Sequence, residues 1–413
     1  MSRIDLVFEG GGAKGMVFTG ALEVLFREYG HSHGRLLGTS AGAITAVSLA
    51  AGYTPDEMLQ ALAEKDEGGT PVFASFLGLP APFDEEAVRK SAIRQLLADL
   101  NLPFVPDFTE TKIDDWIARE LASNEKARHL FSFIERGGWY SADPFVSWLE
   151  ARLDQDRPDG QPRGFSKLTL KEFFAATGVD LTLVAADTTW ARMLLLNHRT
   201  APHVPVVRAA RMSMSVPLLW QEVEWEPEWG PYYTWNPVDG RLEPRDMTGH
   251  TIVDGGLLSN FPIALFLADR DDITAIVGPP QAKNVLGLLI DEAIGVPGRP
   301  ADPEMGGGFS LTGIPAVGRL RRLINTATSA NDNMAVAAFA PHVVRLPAGG
   351  YGTTQFDMTD AQREALVNAG RTAMRAFLGQ QVVLEGVGSA LEFAVGDREM
   401  MLANQAALEW LNR

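Results

Sequence analysis

Residues 4–15 read IDLVFEGGGAKG, and residues 35–42 read RLLGTSAG. Each begins as a short apolar run that breaks at glycine, the pattern of a buried strand closed by a turn. Each is followed by a helical pattern: Val17, Leu22, Leu25 and Phe26 recur at helical spacing over residues 16–28, and AGAITAVSLAAG (41–52) reads as a buried helix of small residues. Two strand–turn–helix units within about fifty residues predict an α/β domain with a parallel sheet.

Outward from this core the chain stays α/β. Residues 55–135 are helical in pattern, with charged faces and prolines near 80 and 103, and read as a helical insertion that caps the sheet. Residues 141–153 predict an amphipathic helix capped by Ser141 or Asp143. Strands are expected at 180–187, 192–197, 273–277, 285–290 and 342–346, and helices at 204–215 and 359–378. Residues 220–245 hold Trp220, Trp225, Trp229 and Trp235 among Glu, Pro and Tyr, either an acidic hairpin packed on the core or a flap facing a membrane. Residues 296–316, rich in Gly and Pro, read as a long loop. No repeat or sharp linker divides the chain, so one domain over 1–378 is expected, with 379–413 as a C-terminal extension ending in an amphipathic helix.

Composition narrows the function. With 46% hydrophobic residues, 413 residues can bury a large core. A net charge of −16 argues against nucleic acid and against docking on anionic lipid, both of which want clustered Lys and Arg. The absence of cysteine excludes disulfides, thiolate metal sites and cysteine nucleophiles. No secretory leader or run of about 20 apolar residues is seen, so a cytoplasmic location is expected.

Gly10-Gly11-Gly12-Ala13-Lys14-Gly15 fits G-x-G-x-x-G between a strand and a helix. A dinucleotide fold would place a carboxylate near the end of the second strand, where Gly38-Thr39-Ser40 stands instead. The Walker spacing also fails, because Gly15 follows Lys14. What the loop offers is backbone N–H groups at a helix N-terminus, suited to a phosphate or an oxyanion, with positive charge from Lys14. A tight turn without a ligand fits the same residues.

Gly38-Thr39-Ser40-Ala41-Gly42 is G-x-S-x-G on a strand–turn–helix. Glycine on both sides permits a sharp turn that exposes the serine hydroxyl. Such a serine needs a base. Of the histidines, only His342 follows Asp254, and it opens a strand with no loop to present it; His31, His33, His129, His198, His203 and His250 sit in no catalytic setting. The base is therefore expected to be something other than histidine. Thr251-Ile252-Val253-Asp254-Gly255-Gly256 offers a carboxylate at a strand end, although a D-G-G sequence is also an ordinary turn. Asp187, after another strand, reads as a cap or turn residue or as a neighbour of the active site.

Taken together, the chain resembles the patatin-like phospholipase family. The family's G-G-G-x-[RK]-G loop stands at Gly10–Gly15, its nucleophile elbow at Gly38–Gly42 and its D-G-[GA] turn at Asp254–Gly256. Ser213-Met214-Ser215-Val216-Pro217 resembles its S-x-S-x-P block, and Gln355–Thr359 ahead of a helix resembles its C-terminal end. The resemblance implies a three-layer α/β/α fold with a mostly parallel sheet. It implies Ser40 as nucleophile, Asp254 as its base and the Gly10–Gly15 amides as oxyanion hole, with no metal or other cofactor. It implies a phospholipid, lysophospholipid or acylglycerol substrate and transient contact with a membrane surface. An acyltransferase on the same dyad is a close alternative, and a nucleotide-binding regulatory protein using the glycine loop a distant one. Lys14 replaces the commoner arginine, which loses a guanidinium fork. Head group, chain length and oligomeric state are not legible.

Overall fold

Side chains of the first strand alternate between two apolar environments, which makes the sheet a shared wall between two cores. The computed structural model describes residues 2–99, 117, 120–121, 123–300, 336–385 and 395–411. The described strands are β1 (Arg3–Phe8), β2 (Ser32–Thr39), β3 (Gly138–Tyr140), β4 (Leu181–Asp187), β5 (Arg192–Leu196), β6 (Leu218–Trp220), β7 (Val223–Glu224), β8 (Tyr232–Asn236), β9 (Arg241–Arg245), β10 (Thr251–Asp254), β11 (Asn284–Gly295) and β12 (Val343–Gly349).

The main sheet runs β12-β11-β1-β2-β4-β10-β7, with β5 also paired to β4. The five strands from β12 to β4 are parallel; β10, β7 and β5 join antiparallel. Period-two alternation sends Ile4, Leu6, Phe8, Leu36, Leu183, Leu288 and Leu346 to one face and Val7, Leu37, Val184, Val285 and Val343 to the other. Helices Val17–Glu23, Ala41–Ala50, Val206–Met214 and Asp360–Glu385 cover the first face; Ala264–Leu267, Asp271–Val277 and Asp397–Leu411 cover the second. The result is the expected three-layer α/β/α architecture. Both faces are buried because parallel strands need crossover helices.

The chain leaves β1 for β2 on one side, while β11 leads to β12 on the other. Strand order reverses at β1, which opens a crevice at the carboxyl ends of the parallel strands. The glycine loop and the serine turn both lie there.

Several expectations change. ITAIV (273–277) forms part of helix Asp271–Val277. Its β-branched residues suggested a strand, but Ile273, Ile276 and Val277 are the buried ones, the i, i+3, i+4 face of a helix. Of the two readings of 220–245, a hairpin is present as β8–β9, with Trp235 half-buried. Trp220, Trp225 and Trp229 are buried, with Trp220 Nε1 donating to the Phe76 carbonyl at 2.8 Å and Trp225 Nε1 to that of Gly230 at 2.9 Å. The helix after Ser141 begins at Asp143 with Ala142, not Ser141 or Asp143, at its N-cap, although the Asp143 N–H donates to the Ser141 hydroxyl at 3.1 Å. The helix expected at 359–378 runs to Glu385. In the C-terminal extension, Ala403 and Ala407 are fully buried against the second core. The proline near 103 and most of the 296–316 loop lie outside the described residues.

Candidate active site

Ser40 occupies the one-residue turn between β2 and helix Ala41–Ala50, at φ 54° and ψ −119°. A serine pays of order 1–3 kcal/mol for such a backbone, so the surroundings must enforce it. They do so by close approach. A Cβ on Gly42 would sit 2.4 Å from the Phe8 carbonyl oxygen, and one on Gly38 would sit 2.3 Å from that of Gly42. Only glycine lets the start of the helix lie this close to β1 and β2. The Ser40 N–H is then held by Ser213 Oγ at 3.1 Å, and the Ser213 hydroxyl donates to the Val184 carbonyl at 2.6 Å.

Asp254 reaches the same place from the antiparallel side. Thr39 pairs with Val184, and Asp254 pairs with Ala185, the next residue of β4. Ser40 and Asp254 therefore stand level, two strand spacings (roughly 10 Å of backbone) apart, and their side chains close the gap. The Asp254 N–H donates to the Ser215 carbonyl at 2.9 Å. Ser215 is in turn fixed by the buried Arg211, which also donates to the Gln221 carbonyl at 2.6 Å. The S-x-S-x-P block thus ties the two turns together: Ser213 holds one backbone and Ser215 the other. Its sequence marked the block but not this role.

Asp254 is fully buried, and loss of water raises its carboxyl from 3.8 to about 7; the nearby Ser40 hydroxyl and the Gly256 amide pull it down less strongly. Oδ1 accepts the Gly256 N–H at 2.7 Å. Among the described residues Oδ2 is buried without a hydrogen-bond partner within bonding geometry, while the Ser40 hydroxyl beside the carboxyl favours its charged form.

The glycine loop is strapped down by groups remote in sequence. Gly10 N–H donates to the Asn260 carbonyl at 3.1 Å, and Asn260 Nδ2 donates to the Gly10 carbonyl at 2.9 Å. Ala13 N–H donates to the Thr353 carbonyl at 2.9 Å, and Lys14 N–H to that of Gly11 at 3.3 Å. Gly12 lies at φ 56°, with the Thr353 carbonyl where a Cβ would be. Among the described residues, the N–H groups of Gly11, Gly12 and Ala41 donate to no acceptor. Gly15 packs on Ala41, and Gly255 on the Val184 backbone. The buried Lys14 ammonium pairs with Glu292 near the end of β11.

These elements surround a cavity of about 320 Å³ lined by Ser40, Gly12, Ala13, Ile44, Met58, Phe73, Phe76, Trp148, Trp220 and Phe356 among others. Its wall is mostly apolar, and among the described residues no histidine is part of it. His342 is buried beside the Val285 carbonyl (Nδ1 at 3.2 Å) and lies near Glu399. It precedes Val343, which shares a row with Gly287, Val7 and Leu37. That places it three strands across and several rows below Ser40, on the order of 15–20 Å away. His250 pairs with Asp187 at 2.9 Å; the other Asp187 oxygen accepts the Thr189 N–H, as a turn residue does. Cavity residues of the insertion, such as Met58 and Phe73, carry no motif and were not anticipated. The one signal was the small-residue face of the helix after Ser40.

Fold and site define an α/β protein in which a strained serine and a glycine loop meet at one mostly apolar cavity, with a buried carboxylate beside the serine. The chain belongs to the patatin-like phospholipase family, whose model matches residues 6–267, and is accordingly a lipid hydrolase. It is 28% identical over 386 residues to the uncharacterized protein YqhO of Bacillus subtilis (strain 168), covering 91% of this chain and 98% of that one. Among solved structures it is similar to VipD from Legionella pneumophila, at 17% identity and a TM-score of 0.43, over 92% of this chain and 67% of that one. It is also similar to the ExoU–SpcU complex of Pseudomonas aeruginosa, at 18% identity and a TM-score of 0.35; there the match covers all of this chain but only 59% of the other. Among the described residues, no helix is long and apolar enough to cross a membrane.

Proposed function

We propose that the protein cleaves fatty-acyl esters of lipids through a Ser40–Asp254 dyad and an acyl-enzyme. The observation that carries this reading is a fully buried carboxylate, raised to about 7, beside a serine in a strained turn that lines a cavity with no histidine among its described residues. An aspartate at its ordinary value is too weak a base for a hydroxyl; one near 7 has its proton affinity matched to neutral pH.

As Ser40 Oγ attacks the ester carbonyl, its proton passes to Asp254 Oδ2, the oxygen not engaged by Gly256. The carbonyl oxygen takes up negative charge beside the unspent amides of Gly11 and Gly12. Removal of one such donor costs on the order of 10²–10³ in turnover in other acyl hydrolases. Collapse expels the alcohol, which leaves with the Asp254 proton. Water then attacks the acyl-enzyme, gives its proton to Asp254, and the second collapse returns that proton to Ser40 with release of the fatty acid.

The apolar cavity favours a lipid acyl chain over a nucleotide for the glycine loop. The test is labelling by a fluorophosphonate probe together with fatty-acid release, with and without an alcohol acceptor, in wild type, Ser40→Ala, Asp254→Asn and His342→Ala. Labelling is expected to disappear in Ser40→Ala, turnover in both dyad variants, and neither in His342→Ala. Labelling that survives Ser40→Ala refutes the nucleophile; loss of turnover in a folded His342→Ala refutes the dyad. Acyl transfer that outruns hydrolysis when alcohol is present would make the protein a transferase.

A further inference from the structure

Helix Ala41–Ala50 leads away from Ser40 along one wall of the cavity, to which it contributes Ala41, Ile44, Thr45 and Ser48, a single helical face. Two of these carry hydroxyls, yet Thr45 Oγ1 donates to the Ala41 carbonyl at 3.2 Å and Ser48 Oγ to that of Ile44 at 2.9 Å. Both protons are spent on the helix's own backbone, so this wall offers a ligand no donor. From Ser40 to Ser48 it extends roughly 12 Å at 1.5 Å per residue. Aromatic rings add further apolar lining: Phe73 stands 4.7 Å from Phe76 and 5.5 Å from Trp148 between ring centroids.

The apolar lining ends at a charge. Arg152, one helical turn beyond Trp148, also lines the cavity. The Tyr53 hydroxyl, just past the end of helix Ala41–Ala50, donates to the Arg152 carbonyl at 2.7 Å, which fixes Arg152 at the end remote from Ser40. Its guanidinium pairs with Glu64 and donates to Gln155 Oε1 at 2.9 Å, and its side chain is 23% exposed. At the other end the exposed Glu292, Gly352 and Thr353 form a polar rim beside the glycine loop.

We propose that Arg152 is the end stop of an acyl-chain site and sets the chain length this protein accepts. The inference rests on Ser40 as the acylated residue. With its carbonyl at Ser40, an acyl chain lies along the hydroxyl-silenced wall while the alcohol portion faces the polar rim. Each methylene that fits inside gains burial, worth about fourfold in kcat/KM. A chain that passes Trp148 presses its methyl end on the guanidinium and separates Arg152 from Glu64, a desolvation that hydrocarbon does not repay. Medium-length chains are therefore favoured over long ones.

The test is kcat/KM for p-nitrophenyl esters from butyrate to palmitate, each normalised to butyrate, in wild type, Arg152→Leu, Arg152→Gln and Arg152→Lys, with melting curves alongside. Wild type should climb by about fourfold per methylene and then break at medium length. Arg152→Leu should carry the climb on to longer chains, chiefly through KM, and Arg152→Lys should restore the break. Should Arg152→Leu not fold, Arg152→Gln, which keeps a polar stem but no charge, carries the same expectation. A wild-type profile that rises unbroken to palmitate, or identical breaks in wild type and folded uncharged variants, overturns the end stop. Ser40→Ala separates the two layers: hydrolysis that survives it sinks the underlying reading, whereas its loss with an unmoved break sinks the end stop alone.

Discussion

Replacing Asp254 by asparagine keeps the shape of the side chain and its acceptor for the Gly256 N–H, and removes the titration. The folded protein holds the Asp254 proton up to about pH 7, whereas the unfolded chain releases it near 3.8. Between those values the folded state binds more protons, so this carboxyl makes the protein less stable as pH rises through the window. The full shift of roughly 3 units is worth about 4 kcal/mol. Asp254→Asn should therefore be more stable than wild type by up to about 4 kcal/mol at pH 8, with the advantage gone below about pH 4. For a chain of 413 residues the unfolding entropy is roughly 0.9 kcal/mol/K, so the gain is about 5 °C in Tm. Calorimetry of both proteins from pH 4 to 8 reads the difference directly. Over the same range ester turnover in the variant should fall by about 10²–10⁴. A stability difference that does not grow with pH would refute the buried, proton-holding carboxylate. Retained turnover would refute its role as base.

Four further expectations follow from the same geometry. In wild type, kcat/KM for a short-chain ester should rise about tenfold per pH unit and level off above about 7, as Asp254 ionises; a flat profile between pH 5 and 8 excludes it as base. Ser213→Ala leaves the Ser40 N–H and the Val184 carbonyl without their shared partner, and should cost about 1–3 kcal/mol in denaturant unfolding while lowering kcat more than it raises KM. Asn260→Ala unstraps Gly10 and should lower kcat by up to about 10²-fold, with fluorophosphonate labelling slowed but not abolished. Gly42→Ala drives a methyl into the Phe8 carbonyl and should destabilise the fold by at least about 1–3 kcal/mol; a normal Tm would show that the elbow is looser than its contacts imply.

The local chemistry of the site was legible in the chain. Gly10–Gly12 and Gly38–Gly42 announce turns in which backbones approach closely, since the missing Cβ is a property of the residue itself. The alternation of Leu6, Val7 and Phe8, and of Leu36 and Leu37, likewise declares a strand buried on both faces before any partner is known. ITAIV was misread because five residues are too few to separate periods of 2 and 3.6. Its helix is chosen by which residues the second core buries. The tryptophans of 220–245 carried the same ambiguity, for an amphipathic ring suits a lipid interface and a protein core equally well.

What the sequence by itself determined is therefore the parts: two strand–turn–helix units, a serine between glycines, a carboxylate ahead of two more, and the lack of a placed histidine. These follow from sterics within a few residues. The tertiary structure alone decided how the parts meet. The registers of β2, β4 and β10 bring Ser40 level with Asp254, Ser213 and Ser215 bind the two turns to each other, and Glu292 pairs with Lys14. It also decided that Asp254 holds its proton to about pH 7. That value comes from the exclusion of water by atoms supplied from many distant segments, and desolvation is a property of the packed surroundings that no short stretch of chain contains.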